Sequence, residues 1–384
     1  MKALLLGFEP VDYTIAYVNG LARTMAPVVV LPRARYQPLA GWFDPAVDLR
    51  LVDWPRHRSV ANLAFLAKLT RLVLRERPDL VHLLSNTTLW LNAAAPLWRR
   101  IPLVTTVHDV VPHPGDNETA RLPDWSSRLM ARQSGDIVVH GEALKRAAIA
   151  RFGKSAATVH VLQHPAIARY AELARREGLV RRSGPRVFTV LMFGRIFAYK
   201  GLDTLVRAEA RMGARVPDLR IVIAGRGDDP RGLAAEMGDP ARYDIRHGFV
   251  SDPDVAQLFL DADLVVLPYT EASQSGVLHL AATFGKPVIA TDVGELRATV
   301  EPNGLGLVVR PADPGALADA IATLAGDPQR LAALGAAAKA WSEGPNAAAT
   351  VGADAAELYR HIVERDRKGH ACEAHAGRAG QCAP

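Results

Sequence analysis

The chain is nearly free of cysteine. Cys372 and Cys382 are the only two, and both lie close to its C-terminal end. That scarcity excludes a disulfide framework for the body of the protein and favours a reducing compartment. Long apolar runs are missing as well. None approaches the roughly 20 residues that a membrane-spanning helix needs. The opening MKALLLGF turns polar too soon for a secretory leader. The expectation is a cytoplasmic protein. The chain also lacks an HExxH helix, a GxSxG elbow and a P-loop. The Gly-Arg-Gly-Asp run at 225–228 lacks the glycine spacing of a dinucleotide fingerprint. His370, Cys372, His375 and Cys382 match no common zinc spacing, so no metal is expected.

What is present is an ordinary globular composition. Hydrophobic residues make up 49% and charged residues 22%, so most of the chain is able to bury a core. A net charge of +6 points to an anionic partner: nucleic acid, a membrane surface or anionic substrates. A length of 384 residues allows two domains.

Strand and helix signals alternate along the whole chain. KALLLGF, APVVVLP, DLRLVDW, DLVHLLS, PLVTTVHD, DIVVHG and TVHVLQH read as strands. So do VFTVLMFG, LRIVIAG, DIRHGFV, DLVVLPY, KPVIATD and LGLVVRP in the second half. Alternation of this kind predicts parallel sheets with helices on both faces. The basic stretch REGLVRRSGPR reads as a linker. The expected domains are therefore 1–182 and 187–341. An amphipathic C-terminal helix within 342–367 is expected to pack back on the first domain. The Gly/Ala/His-rich tail 368–384 has no periodicity and reads as disordered.

Two cations stand at a glycine-flanked strand end in GRIFAYKG. Gly194 closes the strand, Arg195 follows, and Lys200-Gly201 precedes a helix. Such a pair neutralises a diphosphate and stabilises it as a leaving group. A second loop, YTEASQSGV, places Glu271 and the small residues Ser275 and Gly276 between a buried strand and a helix start. Helix N-termini favour anions, and ligands of open parallel sheets sit at that edge.

These residues carry a resemblance. Gly194-Arg195 with Lys200-Gly201, then IVIAGRGD, HGFVSDPDVAQLFLDADLVVLPY, the Glu271 loop and GKPVIATDVG occur in the order of the nucleotide-sugar half of GT-B glycosyltransferases. The chain resembles the large retaining class called family four, specifically over 187–324 and more weakly before that. The resemblance implies an α/β GT-B fold of two Rossmann-like domains facing across a cleft. It implies sugar transfer from a nucleotide diphosphate sugar to a hydroxyl acceptor, with retention, in polysaccharide or glycolipid assembly. It implies no cofactor. Arg195 and Lys200 would grip the diphosphate, with Ser275, Gly276 and Val277 offering backbone N–H groups. Gly248 and Phe249 would read the base. Glu271 matches the first glutamate of an E-x(7)-E motif and would face the donor sugar. The motif's second glutamate is replaced by His279, at the place of a ribose contact. His108 would lie near the donor sugar, with Asp109 beside it.

Gly7 stands where family members often carry a glycine pair, and His140 and His164 follow strands, where they would line the cleft or tether loops. The pair Asp261-x-Asp263 ends a helix and starts a strand rather than holding a metal. The basic helix from Arg56 to Arg77, with Trp54, Phe65 and leucines interleaved, would lie on an anionic membrane at its inner face to reach a lipid-linked acceptor, with the Trp98-Arg99-Arg100 edge adding to it, or would be a core helix with solvated arginines. A carbohydrate acceptor fits equally, and nucleic acid is not an expected partner. Two rival readings share the fold: a non-catalytic scaffold subunit, and a nucleotide-sugar epimerase or phosphorylase.

Overall fold

The computed structural model describes residues 1–56, 59–87, 89–111, 123–184 and 187–379, with 371–379 as backbone alone. Most strands form where Val, Ile and Leu run on without alternation, because both faces of each sheet are covered, while edge strands such as DLRLV and YDIRH carry polar residues between apolar ones and stay partly exposed. In the first half they are β1 (Ala3–Leu6), β2 (Val28–Pro32), β3 (Asp48–Val52), β4 (Leu80–Leu83), β5 (Leu103–Thr106), β6 (Asp136–Val139) and β7 (Val159–Val161). The second half supplies β8 (Phe188–Phe193), β9 (Leu219–Gly225), β10 (Tyr243–His247), β11 (Leu264–Leu267), β12 (Val288–Thr291) and β13 (Gly306–Val309). All pairings are parallel. Sheet orders are β3-β2-β1-β4-β5-β6-β7 and β10-β9-β8-β11-β12-β13. Each order reverses direction once, between β1 and β4 and between β8 and β11. Such a switch point opens a crevice at the C-terminal strand ends.

The chain divides into two compact units. The first comprises Met1–Val110, Arg121–Gln163 and Ala348–Pro384, and the second Val111–Ala120 and His164–Ala347. The chain thus enters the second unit at His164, ahead of the basic stretch read as a linker. The helix Arg169–Glu177 explains this. Its Tyr170 and Ala174 join the second unit's core, and Arg169 pairs with Asp252 on the helix Asp252–Asp261.

The C-terminal helix Ala348–Ala379 packs on the helix Val11–Ala22 of the first unit. The two cross glycine to glycine. A Cβ on Gly20 would stand 1.8 Å from the Ala348 carbonyl oxygen, and one on Gly352 would stand 2.1 Å from the Gly20 carbonyl carbon. Lower down, the Tyr17 and Tyr359 hydroxyls meet at 2.8 Å. The helix continues to Ala379, into the stretch whose sequence shows no periodicity. Among the described residues no helix is long and apolar enough to cross a membrane.

Candidate functional site

In the second unit, the residues of interest line the C-terminal strand ends on both sides of the β8/β11 switch point. Gly194 ends β8 with φ 113°, and Val277 of the facing helix lies 3.5 Å from where its Cβ would be. The turn Ala198–Lys200 is pressed against the end of β11. Gly201, at φ 70°, has room only for hydrogen, since a Cβ would stand 1.9 Å from the Pro268 carbonyl oxygen. The Thr270 N–H donates to the Tyr199 carbonyl at 2.8 Å and ties the two loops together.

Tyr269 is the hub of this arrangement. The Lys200 ammonium sits over its ring at 3.8 Å and 4.9 Å from the Tyr199 ring. Such contacts hold a cation in place on the aromatic faces. The Tyr269 hydroxyl is 3.0 Å from the Ser275 hydroxyl, which precedes the helix Gly276–Thr283. Burial pushes the Tyr269 hydroxyl well above its usual range, while its bond to Ser275 and the nearby Arg195 charge pull it down. Arg195, Lys200 and the helix start are therefore gathered around one ring. Glu271 follows two residues later. It is exposed, and it makes no hydrogen bond or ion pair among the described residues. At the end of β10, Gly248 has φ 129° and Phe249 is 88% exposed, a bare aromatic face at the same edge.

His279 departs from the expected ribose contact. It is only 3% exposed, and its Nδ1 is 3.0 Å from the Asn346 Oδ1. Asn346 is anchored in turn by donating its Nδ2 hydrogen to the His164 carbonyl. That fixes Oδ1 as the acceptor, so His279 carries its proton on Nδ1. The ring stacks on His164 at 4.4 Å and lies 5.3 Å from Trp341. Burial lowers its pKa to about 4, and the bond to Asn346 opposes that shift. His279 is thus a packed, neutral core side chain. His164 belongs to the second unit rather than to the expected first domain, and its Nε2 is 4.0 Å from where a Gly276 Cβ would be.

The first unit gathers a different set. Gly7 is buried, and a Cβ there would meet Leu31 at 3.1 Å and Leu84 at 3.3 Å. It serves packing rather than an open cleft. His108, after β5, has its Nε2 2.9 Å from the Leu84 carbonyl and its Nδ1 3.2 Å from the Nε2 of His140. His140, after β6, has its Nδ1 2.9 Å from the Leu162 carbonyl. Both nitrogens of His108 are thus engaged inside the unit. Asp109 follows His108 and is half-buried. The hub role of Tyr269, the clamp by Asn346 and the His108–His140 contact are not visible in the sequence. The one local hint is an aromatic residue at a strand end in LPYTE.

Two parallel sheets of this strand order, with ligand-type residues at the second one's switch point, define the GT-B class of glycosyltransferase. The chain belongs to the family of glycosyl transferases group 1. That family's model matches residues 187–327, and the model of the glycosyl transferase 4-like domain matches 10–165. The chain is 31% identical over 393 aligned positions to the D-inositol 3-phosphate glycosyltransferase of Pseudarthrobacter chlorophenolicus, covering 91% of this chain and 90% of that one. It is 29% identical over 247 positions to the alpha-D-kanosaminyltransferase of Streptomyces kanamyceticus, spanning 60% of this chain and 62% of that one. Its fold is similar to that of Anabaena Alr3699/HepE in complex with UDP-glucose. There the TM-score is 0.70 at 20% identity, covering 94% of this chain and 100% of that one.

Proposed function

We propose that the protein transfers a sugar from a nucleoside diphosphate sugar to a hydroxyl acceptor, with retention, in polysaccharide or glycolipid assembly. The carrying observation is the gathering of Lys200, Arg195 and the Gly276 helix start around Tyr269. Two cations and a helix dipole preorganised at one edge suit a diphosphate whose negative charge grows as the sugar leaves. Glu271 holds hydroxyls of the donor sugar, and Phe249 with Gly248 receives the base. The anomeric C–O bond to phosphate breaks as the acceptor oxygen attaches on the same face. The departing phosphate oxygen takes the acceptor's proton, and Arg195 and Lys200 stabilise the diphosphate's charge in the place a metal would otherwise take.

A thermal-shift screen against nucleoside diphosphates and their sugars tests the donor reading. One nucleotide series is expected to raise the melting temperature, and a flat screen refutes the assignment. Product analysis with donor alone and with donor plus acceptor then separates transfer from epimerisation or phosphorolysis.

The acceptor is lipid-linked and is reached from an anionic membrane surface through the helix Ala61–Glu76. Val60, Leu63 and Leu74 are 86%, 68% and 51% exposed there. Lys68, Arg71, Arg75 and Arg77 are exposed beside them and form no ion pair among the described residues. An exposed apolar stripe flanked by unneutralised cations suits anionic headgroups. In liposome flotation the protein is expected to rise with vesicles containing anionic lipid and to stay down with neutral ones. Arg71→Glu with Arg75→Glu should abolish the difference. Flotation that ignores lipid charge would overturn this docking mode.

A further inference from the structure

The Gly225-Arg226-Gly227-Asp228 run, which fits no dinucleotide fingerprint, has a definite place in the fold. β8 and β9 pair with Phe193 opposite Ala224, and their ladder continues past both strand ends. The Gly194 N–H donates to the Ala224 carbonyl at 3.0 Å, the Ile196 N–H to the Arg226 carbonyl at 2.8 Å, and the Asp228 N–H to the Ile196 carbonyl at 2.7 Å. Ile196 thus pairs with Gly227 in the register of the strands, and Arg195 stands opposite Arg226. Backbones paired in this way lie one strand spacing apart, about 4.8 Å.

Two glycines make the approach possible. Gly225 has φ 147° and Gly227 has φ 139°. A Cβ on Gly225 would stand 1.7 Å from the Gly194 carbonyl oxygen, and one on Gly227 would stand 2.1 Å from the Ile196 carbonyl oxygen. Fixing a glycine costs backbone entropy. Here that cost holds the backbone of one arginine against the backbone of another. The other flank is fastened too. The Gly248 N–H donates to the Gly225 carbonyl at 2.8 Å, and the His247 Nε2 donates to the Gly227 carbonyl at 3.0 Å. Arg226 is exposed on this fixed tip. Beside it the tip of β10 is open, since nothing lies within 4 Å of where a Gly248 Cβ would be.

We propose that Arg226 is a further donor-binding residue and takes the phosphate nearer the base. This role rests on the proposed function and adds one contact to it. In the sheet the strand tips run in the order β10, β9, β8, β11. Phe249 follows β10, Arg226 follows β9, Arg195 and Lys200 follow β8, and Glu271 follows β11. A nucleoside diphosphate sugar laid across these tips sets its base at Phe249 and its sugar at Glu271. Its two phosphates then fall at the two arginines, the inner one at Arg226 and the sugar-bearing one at Arg195. A guanidinium suits that place, because its planar fork offers paired N–H donors to phosphate oxygens. The glycines fix the arginine's backbone before the ligand arrives, so less ordering is left to binding.

The test is calorimetric titration of the full-length protein with UDP, GDP and ADP, each beside its monophosphate and its nucleoside. In the series that binds the wild type, Arg226→Ala should weaken monophosphate and diphosphate alike by about 10- to 100-fold, the loss of one charged hydrogen-bonded contact. The nucleoside should bind as before, and Arg226→Lys should recover part of the loss. Arg231→Ala is the control, an exposed arginine on the turn that follows, and should change nothing. Arg226 is exposed, so the melting temperature of its variants should stay near the parent's. Unchanged nucleotide affinity in folded Arg226→Ala overturns the role of Arg226 and leaves the donor reading standing. An equal loss for the nucleoside makes Arg226 a base contact and overturns the phosphate assignment. An equal loss in Arg231→Ala reduces the effect to net charge and overturns it as well. A wild type that binds none of the three series overturns the donor reading itself, and this role with it.

Discussion

Lys200 holds its ammonium over an aromatic face. The ring of Tyr269 at 3.8 Å attracts the cation and fixes its place at the strand ends. Removing a preorganised charge from a developing anion costs about 10²–10³ in rate. Lys200→Ala is therefore expected to lower turnover by that factor while the melting temperature stays near the parent's. Near-normal turnover in a folded variant would remove Lys200 from the mechanism. Tyr269→Leu should act through the same charge more weakly. It loses the cation–π contact and the Ser275 bond, about 0.5–1.5 kcal/mol for each. Its expected signature is a rise in donor KM larger than its fall in kcat, measured by initial rates. His279 is the residue that sequence spacing misplaces. The E-x(7)-E pattern marks its position along the helix, but the group that occupies its Nδ1 is Asn346, 67 residues away. A partner at that distance leaves no local trace.

At the scale of elements, the strands were legible throughout, for a physical reason. A parallel strand buried on both faces needs a short unbroken run of branched apolar residues, and Gly, Pro or Asp bracket it. VVVLP, LRIVIAG and LVVL are such runs, and each forms a strand. The crossing between units was not legible. The helix Arg169–Glu177 buries only Arg169, Tyr170 and Ala174, and its Glu172, Arg175 and Arg176 pair among themselves on the surface. Its polar surface therefore runs without a break into the basic stretch read as a linker. The glycine crossing of the helices Val11–Ala22 and Ala348–Ala379 was equally hidden, because a helical glycine shows its purpose only when the opposing backbone is known. Gly20→Ala would drive a methyl into the Ala348 carbonyl at 1.8 Å. The helices must then separate, at about 3 kcal/mol, the upper end of ordinary overpacking. Gly41→Ala is the control, since nothing lies within 4 Å of its added Cβ. Urea unfolding should show a loss for the first variant and almost none for the second. Equal midpoints would mean that the helix crossing is looser than described.

For the whole molecule, buried histidines set how stability responds to pH, and the two units should differ. His279 in the second unit has its pKa lowered to about 4, and His82 in the first to about 3, both chiefly by burial. An unfolded chain protonates these rings near pH 6.5. Between about pH 6.5 and 4 the unfolded state therefore binds protons that the folded state refuses, so stability falls as pH drops. For His279 the full loss is about 3 kcal/mol, from 1.36 kcal/mol per unit over the span from 6.5 to about 4. Below about pH 4 this contribution levels off, and that of His82 continues to about pH 3. On acidification the loss should accordingly level off near pH 4 in the second unit and continue to about pH 3 in the first. Denaturant unfolding from pH 3 to 8, followed by hydrogen exchange resolved along the chain, separates the two profiles. His279→Gln should flatten the acid slope of the second unit alone, and His82→Gln that of the first alone. A common profile for both units, insensitive to either substitution, would show that these rings do not govern the pH response.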